Sequence, residues 1–585
     1  MWRIISAIFA LLTAGTVYFV NLFYKKRKEL QGLPQPPMES IFWGHLPLAI
    51  ECSKLFPPDG HIQNWFHYIR KKYNLGDVFY LDWWPLGPRL LFIADPELTS
   101  KYITAGQSLP KSQLTTGYVN QLLGTNNMIT AEGPHWKSLR SIFNPGFSAS
   151  HLITLVPYMV DSSLLFLEIL RERAKRNELI SLSDYATRLT ADIIGKVAMD
   201  SDFDSQKRPH PIMSTFRKHV SLMPSETSLE PLKGFNLIQP IRLWLNTRKL
   251  DALIGAEIDK RIEHRASQRY QANGTTGTTS GEKKKDRQRP IIHLALDANE
   301  KEVASQAAGK GSSSGSGMTK SFRKTAIDSI KTFIFAGHDN TSTTISYAMY
   351  LLHLHKEVHA KVLSELSSVF GPGFTSSSIA ASIKADPHSI NHLEYLHAVI
   401  KETLRIFSPG STVRGLRRLS DISSAKECTF TDPSTGNICP LAGFDIWIVS
   451  QIIQRNESYF PDPINFVPER FIPSMTPYLD CKMHTPAGRD AWRPFEKGPR
   501  NCIGQELAMI EMKVVLALVV PEVDFTAEYD GKKMEEWTPV ETRDEFADGI
   551  PGAIRLSVEG HKPFQVLSGR GATRGGMTGR LTVRR

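Results

Sequence analysis

Ten residues near the C-terminal end constrain this chain more than any other stretch: Phe495-Glu496-Lys497-Gly498-Pro499-Arg500-Asn501-Cys502-Ile503-Gly504. The pattern F-x-x-G-x-R-x-C-x-G runs straight into a helix-like segment, Gln505–Val520. A cysteine just ahead of a helix lies near the positive end of its dipole, which lowers the thiol pKa and favours the thiolate. Gly498 permits a tight turn, from which backbone N–H groups can point at sulfur and tune its electron density. Phe495 can shield the sulfur from water. These features cohere if Cys502 ligates a haem iron: Gly504 then leaves room for the macrocycle, and Arg500 can pair a propionate. A cysteine that only filled a core would require none of this pattern.

The rest of the chain can support a large fold around such a loop. Its 585 residues are 41% hydrophobic and 22% charged, which excludes a wholly disordered chain and a disulfide-stapled mini-protein. Five cysteines (Cys52, Cys428, Cys439, Cys481 and Cys502) are scattered without a C-x-x-C pair, which argues against a disulfide framework or a cysteine zinc site. The net charge of +11 suggests nucleic acid until its location is read. Lys25–Lys28 carry +4, Lys283–Arg289 +4 and Glu559–Arg585 +5, which leaves the remainder near −2. Such end-loaded charge reads as solvated periphery and not as a nucleic-acid face.

Ile4–Leu22 is a 19-residue run without a formal charge. As a helix it spans ~28 Å, close to one hydrocarbon core. It leads directly into Tyr24 and Lys25-Lys26-Arg27-Lys28, a basic flank that the positive-inside rule keeps in the cytosol. Residues 1–28 are therefore expected to be a signal anchor, with membrane contact through residues 4–22. Residues 29–38 include Leu33-Pro34-Gln35-Pro36-Pro37, a stiff extended hinge. Residues 39–585 follow as the main domain, with 271–317 expected as a flexible, low-complexity loop insertion. No 20–50-residue repeat is visible. Strands are expected at Val78–Leu81, Leu90–Ile93, Phe444–Val449, Phe564–Leu567 and Leu581–Val583. Helices are expected over much of 133–265, at Ile291–Ala304, from Thr319 to about Phe370, at Glu394–Phe407 and after Cys502.

The cysteine loop matches the haem-binding signature of the cytochrome P-450 family, the haem-thiolate oxygenases. Glu402-Thr403-Leu404-Arg405 resembles the family's E-x-x-R helix, and Phe466-Val467-Pro468-Glu469-Arg470-Phe471 its P-E-R-F segment. The resemblance implies that Glu402, Arg405 and Arg470 form a buried structural triad behind the cysteine loop. Trp136-Lys137-Ser138-Leu139-Arg140 matches W-x-x-x-R. By the same resemblance Trp136, Arg140 and Arg414 contact haem propionates, while Phe495, Gly498, Arg500 and Gly504 complete the cofactor site around Cys502. The fold expected is the cytochrome P-450 fold, mainly α with a smaller β part, preceded by one transmembrane helix.

Phe333-Ile334-Phe335-Ala336-Gly337-His338-Asp339-Asn340-Thr341 resembles the family's oxygen-activating helix, A-G-x-D/E-T-T. Small Ala336 and Gly337 let that helix approach the haem, and Asp339 can feed protons inward. Here the sequence departs from the pattern, since Asn340 stands where a threonine is usual. Thr341 comes one residue later, about 100° round the helix. Asn340 keeps a donor and an acceptor and can hold the same water. His338 is expected to pack beside the helix and not to ligate iron.

The resemblance thus implies a monooxygenase with haem b, an axial thiolate, and NADPH and flavins acting only through a separate NADPH–cytochrome reductase. The 83 residues after Cys502 are too few for a built-in flavin reductase. Arg493 and Lys497 suit a basic docking face for that partner. The substrate is expected to be an apolar small molecule, met by residues 107–130, 215–245 and Ser408–Val413, with Leu222, Met223 and Phe235 among the apolar candidates. The chain resembles microsomal members from filamentous fungi, many of which act in secondary metabolism. That implies the endoplasmic reticulum membrane with the body facing the cytosol. Two rival readings stay open: a haem-thiolate isomerase, dehydratase or desaturase, motivated by Asn340, and a non-catalytic haem electron carrier or sensor.

Overall fold

The computed structural model describes residues 2–57, 59–223, 238–274, 291–294, 296–297, 320–416, 427–486, 488–529, 531–533, 561, 563–567 and 571–584. In chain order, the elements that position the site are α1 (Trp2–Lys28), β1 (Val78–Asp82), β2 (Arg89–Ile93), α2 (Gly133–Phe143), α3 (Val156–Lys175), α4 (Leu182–Met199), α5 (Lys320–Leu354), α6 (Glu394–Ile406), β3 (Thr412–Gly415), β4 (Asp445–Ile448), α7 (Gln505–Val519), β5 (Val523–Tyr529) and β6 (Thr578–Val583). The fold is mainly helical with small sheets, as the sequence predicts.

Two cores form. One is helical and joins α3, α4, α5, α6 and α7. At 35 residues α5 is about 52 Å long, and it is buried through most of its length. That burial explains the apolar and small residues that dominate its second half, while the buried Asp328 and Lys331 of its first half pair with each other. The second core packs around a four-stranded sheet ordered β1-β2-β4-β3. Every residue of β1 and β2 is buried. Their continuous apolar runs, Val78-Phe79-Tyr80-Leu81 and Leu90-Leu91-Phe92-Ile93, therefore show no alternation. β2 and β4 pair in parallel, with Phe92 opposite Trp447, while β3 runs antiparallel to β4, with Arg414 opposite Ile446. The expected closing strands are present: β6 pairs antiparallel with β5, and Gln565–Leu567 pairs with Gly571–Thr573. Phe471 and Trp492 pack against both cores.

Some expectations meet a different outcome. Of Ile291–Ala304, residues 291–294 and 296–297 are described, and they are helical; the rest lies outside the described residues, as does most of the 271–317 stretch. Arg27 departs from the expected solvated basic flank. Lys25 and Lys28 are exposed, but Arg27 is buried and forms an ion pair with Asp82.

A dense buried polar cluster lies at the end of α6. Glu402 is wholly buried. Its Oε2 accepts from Arg405 Nε at 2.7 Å, and its Oε1 accepts from Arg405 Nη2 at 2.8 Å, Arg470 Nε at 3.0 Å and the Val467 N–H at 3.0 Å. The two arginines then donate to the Gln454, Pro461, Asp462, Pro463 and Asn465 carbonyls. Burial alone would raise the Glu402 pKa, but the Arg405 and Arg470 charges hold it below the usual carboxylate value. Glu402→Gln should cost about 3–5 kcal/mol, because it leaves buried guanidinium charge without its counter-ion. A thermal melt of the holoprotein would measure this. Lys361→Ala, which breaks the half-exposed pair with Glu469, should cost at most about 1 kcal/mol.

Candidate active site

Phe495–Gly504 folds back on itself in front of α7. The Cys502 N–H donates to the Phe495 carbonyl at 2.8 Å, and the Asn501 N–H to the Gly498 carbonyl at 3.1 Å. Gly498 has φ +82°, and a Cβ there would sit 2.8 Å from the Thr104 carbonyl oxygen. Glycine is needed at this turn for both conformation and space. At Gly504 an added Cβ would meet only the Cys502 sulfur, at 3.9 Å, so one side of the sulfur is left open. That side is a cavity of about 300 Å³ lying between α5 and the cysteine loop.

Cys502 has accessible surface, but protein encloses it. Burial pushes its thiol pKa up, while the Gly504 N–H and the Arg140 charge act against this. Arg140, on α2, donates to the Asn501 carbonyl at 2.8 Å and to Asn501 Oδ1 at 2.9 Å. It thus grips the residue before the cysteine. Trp136, one turn earlier, is half-buried under the Arg500 guanidinium, which lies 5.0 Å from the ring centre. Arg500 pairs with Glu132 and donates to the Ile129 and Ala131 carbonyls. Arg414, on β3, is wholly buried. One of its nitrogens donates to the Leu109 carbonyl at 3.0 Å, while Nε and Nη2 have no partner among the described residues.

The opposite wall is α5. Ala336, Gly337, Asn340 and Thr341 border the cavity. Thr341 reaches it as well as Asn340, despite the rotation between them. Gly337 has a role the sequence does not reveal: a Cβ there would come within 2.8 Å of Ile194 on α4, so this glycine sets the spacing between two helices. Asn340 Nδ2 lies 3.4 Å from the Ala336 carbonyl, and its Oδ1 is buried without a partner among the described residues. Asp339 lies outside the cavity lining and pairs with His338 at 3.2 Å. His338 is buried against Phe216.

Four residues matter that sequence reasoning missed. Lys111 lines the cavity and donates to Thr412 Oγ1 at 2.8 Å. Burial and the neighbouring Arg414 and Arg500 charges push its pKa well below the ordinary value. Gln454 bridges the Glu402 cluster to the cysteine loop: its amide donates to the Arg405 carbonyl, and its Oε1 accepts from the Arg493 N–H. Glu511, on α7, is buried in the cavity wall, and burial holds its carboxyl pKa well above the usual value. Asn501 receives Arg140. None of these stands out as a residue type; each acquires its position only through the fold. Arg493 corrects an expectation. It is only 2% exposed and pairs with Glu496 at 2.6 Å, so it belongs to the site's interior and not to a docking face. Of the expected substrate regions, Lys111 and Pro409–Thr412 border the cavity; no described residue of 215–245 does, and Phe235 lies outside the described residues.

The site fits a haem. A sulfur faces an open slot, a helix of small residues faces it from the other side, and buried positive charge is in surplus. Lys111, Arg414 and Arg500 converge, and Glu496 and Glu132 offset Arg414 only in part. Burial and the Arg500 charge push Arg414 down to about 10. An anionic group entering here would relieve that cost.

The profile of the Cytochrome P450 family matches residues 34–541. The chain is a cytochrome P450. It is 33% identical to the cytochrome P450 monooxygenase acrF of Aspergillus aculeatus over 89% of this chain and 97% of that protein. With the cytochrome P450 monooxygenase polC of Polytolypa hystricis the identity is 29%, over 98% and 94%. With the probable cytochrome P450 4d20 of Drosophila melanogaster it is 26%, over 75% and 78%. This P450 is therefore an oxidoreductase of the monooxygenase class, and the reading as a non-catalytic carrier or sensor falls. Membership implies a haem iron with thiolate ligation.

If the cationic cluster holds the haem carboxylates, Arg414→Gln and Lys111→Gln should each weaken haem retention. A charge-assisted hydrogen bond is worth about 1.5–3 kcal/mol, or roughly 10- to 100-fold in affinity. The haem-to-protein ratio after gel filtration checks this. Arg140→Gln should instead disturb the Soret band, because its partner is the cysteine loop.

Proposed function

We propose that this P450 uses O2 and electrons from NADPH, passed through a separate reductase, to hydroxylate or otherwise oxidise an apolar small molecule. One observation carries the reading: one cavity has the Cys502 sulfur on one wall and Ala336, Gly337, Asn340 and Thr341 on the other. Haem bound there supplies O2 activation, with a thiolate ligand that favours O–O cleavage. The chain's residues do the rest. Cys502 is the proposed ligand. The Gly504 N–H and the Arg140 charge favour its thiolate form. Phe495 and Ile503 line the slot beside it and keep it apolar. Lys111, Arg140, Arg414 and Arg500, with Trp136, orient the haem edge. Glu402, Arg405 and Arg470 act structurally, through Gln454.

On the O2 side, Asn340 is the proposed water holder. Its buried Oδ1 has no partner among the described residues and needs a donor, for which a water beside the Thr341 side chain is the natural one. Thr341 adds a hydroxyl, while Asp339 pairs with its neighbour His338 on the same helix, away from the cavity lining. The cavity has far more apolar than polar wall, which suits an apolar substrate; Phe147, Ile194 and Leu404 contribute to it. The likeness to fungal monooxygenases supports a polyketide- or terpenoid-derived substrate in secondary metabolism. The uncharged run Ile4–Leu22 of α1 and the basic end that follows it support an anchor in the endoplasmic reticulum with the body in the cytosol.

Asn340 favours a second reading, an isomerase, dehydratase or desaturase that does not insert oxygen. Isomerisation or dehydration consumes neither O2 nor NADPH, whereas hydroxylation consumes one of each per product; desaturation consumes both as well and is told apart by a product that has lost two hydrogens and gained no oxygen.

Reduced protein with CO should show the red-shifted Soret band of thiolate ligation, and Cys502→Ser should lose both the band and turnover. Retention of both would end the haem-thiolate assignment. Asn340→Ala should lower product per NADPH consumed while hydrogen peroxide rises. Losing a held water costs about 0–2 kcal/mol, so the drop should reach up to roughly 30-fold. Asn340→Thr should stay within a few-fold of the natural protein. Undiminished coupling in the Ala variant would show that protons do not pass this residue.

A further inference from the structure

α1 does not stop where its apolar run stops. It continues to Lys28, and its last turn is built into the body of the enzyme. Arg27 is only 7% exposed. Its Nε donates to the Ile41 carbonyl at 2.9 Å, and its Nη2 donates to the Phe42 carbonyl at 3.0 Å and the Trp84 carbonyl at 2.6 Å. Its Nη1 faces the wholly buried Asp82 at the end of β1. Gly44 makes the space, for a Cβ there would lie 2.9 Å from the Arg27 guanidinium carbon and 2.6 Å from the Asp82 carbonyl oxygen. Glu29 adds an ion pair to Arg89 on β2 at 2.5 Å, and Phe23 packs on Trp84 and Phe42 with ring centres 4.6 and 5.5 Å apart. A solvated basic flank would make none of these contacts.

Four large apolar side chains lie around this joint and are open to solvent: Ile41 at 55%, Phe42 at 53%, Trp43 at 54% and Leu86, in the turn between β1 and β2, at 74%. Leu22 ends the apolar run. Phe23 lies one residue beyond it and Arg27 five, which is about 1.5 and 7.5 Å along the helix. The backbone that Arg27 grips is therefore held at the level where hydrocarbon gives way to headgroups. Tryptophan and other large apolar side chains are favoured there.

We propose that Arg27 clamps α1 to the β1–β2 turn, so that membrane helix and catalytic body tilt as one unit, and that Ile41–Trp43 with Leu86 form a second lipid-binding surface at the bilayer boundary. The occupant of this patch is the bilayer, because the patch is continuous with α1 through the Phe23–Phe42 contact. The inference rests on the reading of α1 as a membrane span, and that reading is tested separately. Full-length protein in phosphatidylcholine vesicles should stay with the membrane after alkaline carbonate; release would refute the span itself.

The clamp is read by tryptophan quenching with phosphatidylcholine brominated near the headgroup. The difference between the natural protein and Trp43→Phe isolates the Trp43 signal, which should be strongly quenched. In Arg27→Gln the protein should still resist carbonate, but the Trp43 signal should lose most of its quenching, and protease cutting within residues 31–37 should rise several-fold. Gly44→Ala, which keeps the Arg27 charge but takes its space, should do the same; a retained Soret spectrum shows that either variant is folded. Trp43 quenching unchanged in both variants would overturn the clamp. A Trp43 unquenched by lipid but shielded as protein concentration rises would make the patch a contact between copies, and would overturn the lipid assignment.

Discussion

The Glu402 carboxylate is the interaction on which the site depends. A charged group with no exposed surface is stable only when its lone pairs are filled, and Glu402 fills them from Arg405, Arg470 and a backbone N–H. The arginines spend their remaining donors on carbonyls of residues 454–465, a stretch with no strand or long helix to satisfy them. An irregular segment is thereby fixed as firmly as a helix would be. Gln454 passes that rigidity on by accepting the Arg493 N–H, and Arg493 leads directly into the cysteine loop. The position of Cys502 is thus set from behind by polar contacts, while α2 holds it from the side through Arg140 and Asn501.

The front of the site is arranged differently. Behind the sulfur Glu402 is matched by Arg405 and Arg470, but around Lys111 and Arg414 positive charge is left over. Arg414 keeps two nitrogens without a partner among the described residues, and Lys111 has a hydroxyl where an anion would serve better. Such a surplus is costly in a buried place. It makes sense if the protein completes its folding by taking up an anionic group of its own size. Cofactor binding and stability are then coupled, as they are when a metal ion completes a site.

What the sequence discloses follows a physical divide. Cys502, Gly498, Phe495 and the Glu402 helix belong to short local patterns in which each residue answers a backbone need or a chemical need, so they can be read from a string. The buried strands can be read too, because burial on both faces leaves continuous apolar runs. Lys111, Gln454 and Glu511 cannot, since nothing local marks them and only the meeting of distant segments makes them important. Arg27 and Arg493 show the reverse error. A basic residue is exposed more often than not, and only the carbonyls and carboxylates that converge on these two reverse that expectation. Gly337 is subtler: its small size was visible, but the neighbour that demands it is Ile194 of another helix and not the cofactor side.

The cavity also holds two buried acceptors without partners among the described residues, Asn340 Oδ1 on one wall and Glu511 Oε1 on another. Two such groups are expensive unless something donates to them. Burial holds the Glu511 carboxyl pKa well above the usual value, which favours its neutral form. Asn340 has no proton to lose and can only relay one through what it holds. The Thr344 hydroxyl donates to the Asn340 carbonyl at 2.9 Å and is thereby occupied with the helix. The polar capacity open to the cavity on α5 thus rests on Asn340 and Thr341 together. A chain that replaces the usual hydroxyl with an amide has exchanged a group that can give its own proton for one that must borrow. If Asn340 holds the proton-delivering water as proposed, the reaction depends more heavily on ordered water, and so on how tightly the substrate closes the cavity against bulk solvent.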